Sequence, residues 1–535
     1  MSATEDLYRS YLDLRWHFDP TQASAAGLTS HDGRLGDFSG AAMRTHLAAF
    51  KAIASAAEQL EVNDQEEEID RTAFLDEVRT TIIRFERERP QMHQPGFWLG
   101  HLFRGLHLLL QHRHGSPAER AAGILGRLQA IPWFLRTARE TLREPPAIFL
   151  ETASEIARNG GHLLGEAGRA AGEAAPELAD PLEDALAEAE AALGRFVLAL
   201  HSELNAHPDE LSFAIGEDLF NRRLHHEHAL QPNAPELYRY GLHLAEEVEA
   251  ELTALARQID PRVDWRSLAA RLRDTGRPGC SLTDAFRESM HRGRGFLEAR
   301  DLVRLPEGDL EVIDTPGFLR PLLPFAAYDA PPAYAPDRTG TFYVTPSAPG
   351  TPESSLPCLH EIASLAVHEA WPGHHLQCLT AQSLDSEVRR TLWTPVLVEG
   401  WALYGEELMA EEGFFASLEE RLFQRVHLLW RALRVVLDIG LHTRGLTPDQ
   451  ATETLVGRLG MDRGTARKEV SRYCATPTYQ LCYAVGRREI LHLREAWRLR
   501  AGAAAPLREF HDALLGYGGL PVSLSRWGMG LGIDE

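Results

Sequence analysis

The chain has 535 residues, 44% hydrophobic and 25% charged, the balance of an ordinary globular protein. Its 55 basic and 77 acidic residues leave a net charge of −22, which argues against the basic footprint that nucleic acid or an anionic membrane requires. No apolar run approaches the roughly 20 residues that span a bilayer. The start, Met1 to Asp6, has no basic residue and no apolar stretch, so no signal peptide and a cytoplasmic location are expected. Five cysteines (Cys280, Cys358, Cys378, Cys474 and Cys482) lack Cys-x-x-Cys spacing and read as free thiols of a reducing compartment.

Helical periodicity covers residues 5–17, 40–60 and 66–88, and Gln91 to Gly96 breaks the third of these. Two more helices, 118–143 and 147–158, flank Glu144-Pro145-Pro146. The Ala-, Glu- and Leu-rich stretch 163–205 reads as an antiparallel helical pair. A long pattern at 233–259 begins on the capping residue Asn233. Prolines and aromatics then crowd residues 302–346, where Val312-Ile313 and Thr341-Phe342-Tyr343-Val344 are strand candidates. That second strand suits an edge that pairs with an extended substrate, with Tyr343 in contact; a rigid connector packed on the core is the other reading. Beyond 346 the chain returns to helix, with no repeat and no sharp boundary. The expectation is a mostly α protein with a small β element, a helical region at 1–300 and a closely packed site-bearing region at 301–535.

Residues 368–375 read His368-Glu369-Ala370-Trp371-Pro372-Gly373-His374-His375. A His followed by Glu, further His and a distant Glu is the ligand inventory of an open zinc site, in which three protein groups leave one position for water. The usual His-Glu-x-x-His spacing places both imidazoles on one helix face. Here position four is Pro372, which would clash with the His368 carbonyl and lacks an N–H, and Trp371 before it is pushed out of helical angles. In a straight helix His374 would point about 240° away from His368, and His375 would lie about 10 Å further along the axis. A bulge or break at Pro372-Gly373 that absorbs two residues restores the geometry for His374; one that absorbs three restores it for His375. His374 is favoured as ligand, which leaves His375 for the substrate.

The string His368 to Gln377 resembles the signature of the bacterial domain-of-unknown-function 885 family, which is placed among gluzincin metallopeptidases by its fold. Glu399-Gly400-Trp401-Ala402-Leu403-Tyr404 is similar to its second signature. Weaker similarities run from Ile131-Pro132 to Gly519-Leu520-Pro521, including Asp438 to His442 and Pro477 to Arg488. The resemblance implies a gluzincin-like fold of long helices enclosing a metal-site cleft, a divalent metal, and Glu369 as catalytic base. It supplies no substrate.

Glu399 is the candidate third ligand, because Val396, Leu397, Val398, Trp401 and Leu403 surround it and a carboxylate there is costly unless paired or metal-bound. Glu406 is expected behind the ligands at most. In the implied reaction the metal activates water and polarises a carbonyl, and Glu369 shuttles the proton. Tyr479, Tyr483 and Arg487 recur every four residues on a helix opened by Pro477. Tyr483 is the oxyanion donor candidate, and Arg487 or Arg488 a holder of a substrate carboxylate. Asp438 and His442, four apart, suit transition-state support or a simple helical ion pair. The cluster His225-His226-Glu227-His228 and the residues His101, His107, His112 and His114 are assigned to packing.

The expected function is a zinc-dependent hydrolase, or one using another divalent ion, that cuts a peptide-like amide in small substrates. The partners are small molecules, not nucleic acid or membrane. Two alternatives stand beside it: a non-haem iron oxygenase built on the same two-His, one-carboxylate set, and a silent helical binding scaffold. Oligomeric state is left open.

Overall fold

The helical periods of the N-terminal half close into helices near the predicted bounds: Ala3–Phe18, Gly40–Gln59, Gln65–Ile83, Pro117–Thr141, Ala147–Gly160 and the pair His162–Ala174 and Ala179–Ser202. These come from a computed structural model that describes residues 2–62, 64–111, 115–317, 320, 326–346, 357–502 and 504–532. Their apolar stripes meet in one core around Phe18, Phe38, Phe74, Trp98 and Phe134. Asn233 caps Ala234–Ile259 as predicted, accepting the Glu236 N–H at 3.1 Å while Glu236 accepts the Asn233 N–H at 2.9 Å. The chain is mostly helical with one small sheet.

The sheet has three strands: β1 (Asp309–Asp314), β2 (Ala326–Asp329) and β3 (Thr339–Val344), in the order β1-β3-β2. β3 pairs in parallel with β1 and antiparallel with β2, so Tyr343 faces Ile313 on one side and Ala327 on the other. This corrects the expected substrate-pairing edge. β3 is the central strand, its backbone groups are taken on both sides, and Tyr343 is buried. Pro321 and Pro324 of the proline-rich stretch lie outside the described residues.

Five helices build the site: α1 (Leu359–Glu369), α2 (His374–Gln382), α3 (Pro395–Glu411), α4 (Leu418–Thr443) and α5 (Cys482–Ala501). α3 starts on Pro395, which suits a first helical position, and every residue from Pro395 to Met409 is buried. A helix apolar on all faces belongs inside, and the exceptions, Glu399, Glu406 and Glu407, are the functional clue. α4 lies along Ala234–Ile259, packing Leu429, Leu433 and Val435 against Leu237, Leu244 and Val248. The predicted 1–300 region therefore contributes this helix to the packing around the site. Gly400 and Gly486 let α3 and α5 nearly touch: a Cβ on Gly486 would sit 1.9 Å from the Val396 carbonyl oxygen.

Candidate metal centre

The bulge anticipated at Pro372 is a complete break. α1 stops at Glu369, Ala370 leaves helical angles (φ −117°, ψ −83°), and α2 begins at His374. The Gly373 N–H donates to the Val367 carbonyl at 3.0 Å, which folds the connection back on the end of α1. A Cβ at position 373 would lie 1.8 Å from the His368 carbonyl oxygen, so only glycine passes there. Trp401 of α3 pins the same turn, its indole N–H donating to the Pro372 carbonyl at 2.7 Å.

This folding brings together His368 from α1, His374 from α2 and Glu399 from α3. Their ligand atoms all lie within 4.8 Å of one another, and they form a metal-competent group of His, Cys, Asp and Glu among the described residues. Glu399 Oε2 stands 3.4 Å from His374 Nε2 and 3.7 Å from His368 Nε2. That oxygen is buried and accepts no hydrogen bond. A buried carboxylate oxygen left without a donor between two imidazole nitrogens fits a divalent cation.

A further layer orients the trio. His368 Nδ1–H donates to Glu406 Oε1 at 2.9 Å, which leaves Nε2 facing Glu399. Glu406, fully buried, also accepts from the Ser364 hydroxyl at 2.7 Å and stands 3.7 Å from Arg431. The other oxygen of Glu399 accepts from the Tyr479 hydroxyl at 2.5 Å. Burial opposes the charge on His368, but Glu399 and Glu406 prevail and lift its pKa to about 9. Burial pushes Glu399 up, yet the two imidazoles hold it well below the usual carboxylate range. For Glu406, Arg431 and His368 overcome burial and bring the pKa down to about 2. The trio and its supporting groups thus form a chain of alternating imidazoles and carboxylates.

The other predicted residues divide. Glu369 is half-buried at the end of α1 and makes no hydrogen bond or ion pair among the described residues. Tyr483 stacks on the His368 ring at 6.1 Å between centroids, with Arg434 4.8 Å over its own ring, and burial raises its pKa so that it stays a neutral donor. His375 turns away: it is fully buried, hydrogen-bonded to the Tyr328 hydroxyl of β2 at 3.0 Å and set against Trp371, so it anchors α2 to the sheet instead of meeting a substrate. Arg487 is tied through Nη2 to Glu407 at 2.9 Å, with its Nε unpartnered, and Arg488 is tied to Glu489 at 2.7 Å. His442 lies off the trio, between Phe213 and Phe220, donating to the Tyr473 carbonyl at 3.0 Å. Burial takes its pKa down to about 4, and it is a neutral packing residue.

Tyr479 was not assigned a role by its spacing. The helix opens at Cys482, not at Pro477, because Thr478 adopts φ 67°. Tyr479 therefore sits on a turn, which Asp438 holds by accepting the Thr478 and Leu481 N–H groups at 3.2 Å. Of the other histidines, His226 meets Asp76 and His101 meets Asp19; His112 and His114 lie outside the described residues.

Two solved structures share this architecture. One, from Shewanella oneidensis, is described as a candidate lipoprotein of unknown function; it superimposes with a TM-score of 0.80 at 21% identity, over 99% of this chain and 100% of that one. The other, a candidate lipoprotein from Colwellia psychrerythraea, gives 0.81 at 17% identity, over 99% and 98%. At these identities the likeness is one of fold. Both are described as candidate lipoproteins, a finding that stands against the expectation of a cytoplasmic location. Among the described residues no helix is long and apolar enough to cross a membrane. No curated protein matches the chain. The sequence profile of the family described as "Bacterial protein of unknown function (DUF885)" matches residues 20–527, and the chain belongs to that family.

Proposed function

We propose that this DUF885 protein is a zinc-dependent hydrolase of peptide-like amides, with a gluzincin-like site in which His368, His374 and Glu399 hold the ion. The observation that carries the reading is the unpartnered, buried Oε2 of Glu399 between two imidazole Nε2 atoms. A divalent ion bound there supplies Lewis acidity toward a carbonyl and toward water. Glu369, beside His368 and without a competing partner, takes the proton of the attacking water and returns it to the leaving amine. Tyr483, kept neutral by burial, donates to the oxygen on which negative charge develops. Glu406 keeps Nε2 of His368 toward the ion, and Tyr479 fixes the carboxylate plane of Glu399.

The test is elemental mass spectrometry of the full chain purified without chelator, followed by a peptide-library digest. About one zinc per chain is expected, and Glu369→Gln should keep the zinc while losing hydrolysis. Undiminished turnover in that variant sinks the proposal. Iron in place of zinc favours the oxygenase, since the same donor set suits a facial triad.

A further inference from the structure

Arg487 and Arg488 are each tied to a glutamate, and a further candidate for a carboxylate-reading group lies beyond Tyr479. A cavity of about 310 Å³ opens between the N-terminal helices and the start of α3. Tyr479 is the wall it shares with the trio: the ring lines the cavity and the hydroxyl donates to Glu399. Trp393, whose ring stacks near that of Tyr479, and Thr394 flank the opening. Thr394 caps α3 without a side-chain hydrogen bond, so the positive end of a 17-residue helix faces the space.

Three arginines line the cavity together with the carboxylates Asp76, Glu77, Glu88 and Glu227. Arg15 is held by Glu77 at 2.5 Å and by Gln22 at 2.7 Å. Arg223 is held by Glu227 and, at 3.2 Å, by Glu88. Arg84 makes no ion pair or side-chain hydrogen bond among the described residues and is exposed to solvent. Its place is set by a π-helical turn, Arg84–Glu88, in which the Arg89 N–H donates to the Arg84 carbonyl five residues back at 2.9 Å. Such widened turns recur at functional sites. A guanidinium at the rim of a recess with no acidic partner in contact is the group that binds carboxylate bidentately.

We infer that this cavity receives the free carboxy terminus of a short peptide-like substrate, with Arg84 as its carboxylate anchor. The inference rests on the hydrolase reading of the neighbouring trio and narrows it to substrates that end close to the scissile amide. The volume is at the small end of ligand pockets, about 300–1,000 Å³, which suits one or two residues beyond the cut and excludes a folded protein chain.

The experiment uses the full chain stripped of metal, so that binding is read without turnover. Equilibrium dialysis against N-acetylated tripeptides of mixed sequence, supplied as free acids or as carboxy-terminal amides, is followed by mass spectrometry of what is retained. Acids should be retained at least tenfold better than amides. Arg84→Gln should erase that preference and Arg84→Lys restore part of it, with melting temperatures little changed because the contacts of Arg84 are a cation–π approach to Phe85 at 5.7 Å and the nearby charge of Glu88. Equal retention of acids and amides, no retention of either, or an acid preference that survives Arg84→Gln overturns the inference. The comparison of acid with amide on the unaltered protein needs no variant to fold. A chain that binds acids through Arg84 but never hydrolyses them would keep this subsite and remove the hydrolase.

Discussion

Between Ala3 and Ser202 the buried side chains are mostly apolar, with Asp19, Asp32, Asp70 and Arg127 as the charged exceptions. Phe18 packs edge-on against Phe38, Phe50 and Phe85 with centroids 5.1, 5.8 and 4.9 Å away. Around α1, α3 and α4 the chain instead buries Glu361, His368, Glu399, Glu406, Glu407, His427, Arg431, Arg434 and Asp438. Removing a charge from water costs several kcal/mol even in a relaxed protein, and well-packed apolar residues often serve stability as well or better. The aromatic core is what holding a fold together requires. The buried ions are more than that, and their arrangement around the unpartnered Oε2 of Glu399 is what the proposed metal site requires. Changes in the first region should therefore fall on stability, and changes in the second on what the site binds.

The largest effect that would separate the two is Gly373→Ala. The new methyl group meets the His368 carbonyl, so zinc retention on dialysis should drop below detection. Gly172→Ala, in a helix with nothing within 4 Å of the added carbon, should leave binding intact and stabilise by up to about 1 kcal/mol. In the aromatic core, Phe134→Ala should cost about 3–5 kcal/mol in chemical denaturation while the folded fraction binds zinc normally. A loss of affinity there would break the division between the two regions.

Acid should also tell the regions apart. Burial depresses His228, His442 and His511 to about 4, all in or against the site-bearing half. Each depressed imidazole stabilises the fold above its ordinary value near 6.5, and that contribution is lost as pH falls from there through about 4. Asp438, raised to about 7 by burial, has the opposite sign: its contribution is complete below its ordinary value of 3.8 and is lost as pH rises through 7. With His427 also at about 4, these histidines outweigh one aspartate, whereas His107 is the one taken to about 4 in the N-terminal half, so hydrogen exchange at pH 4.5 should open α4 and α5 before the aromatic core. Protection lost first from Ala3–Phe18 would contradict this.

Smaller effects sharpen the picture within the site. Glu406→Gln should weaken zinc binding about 10–100-fold, the range for partners of a ligating His, and the melting temperature at fixed zinc should fall by the stabilisation lost with that affinity. Tyr479→Phe removes one hydrogen bond to a charged group, worth about 1.5–3 kcal/mol, and competition with a chelator should show an affinity loss at or below that of Glu406→Gln.

Most helices were legible in the sequence because their apolar periodicity and caps act locally, as Asn233 shows. The trio was legible in composition but not in geometry. Pro372 announces a break, whereas which His returns to His368 depends on Gly373 passing under a carbonyl and on Trp401 pinning the turn from another helix. Tyr479 escaped because Thr478, a non-glycine residue at positive φ, ends a pattern that spacing alone continues. Arg487 misled for a related reason: its face was read correctly, but Glu407 across the helix contact had already claimed it. β3 became central because β2, too short and irregular to register as a strand, covers the side that looked open.

Glu399 and Glu406 stand seven residues apart on α3, about two turns, and they approach His368 from opposite sides, one toward Nε2 and the other on Nδ1. The imidazole is gripped as between the jaws of a caliper cut from a single rigid rod. Flipping the ring, or sliding the rod by a turn, has to open both jaws at once, so the orientation of His368 is as durable as the helix itself. Gly400, between the jaws, seats that rod against α5, and the side chain most exposed to drift in this site is consequently His374, the ligand outside the grip.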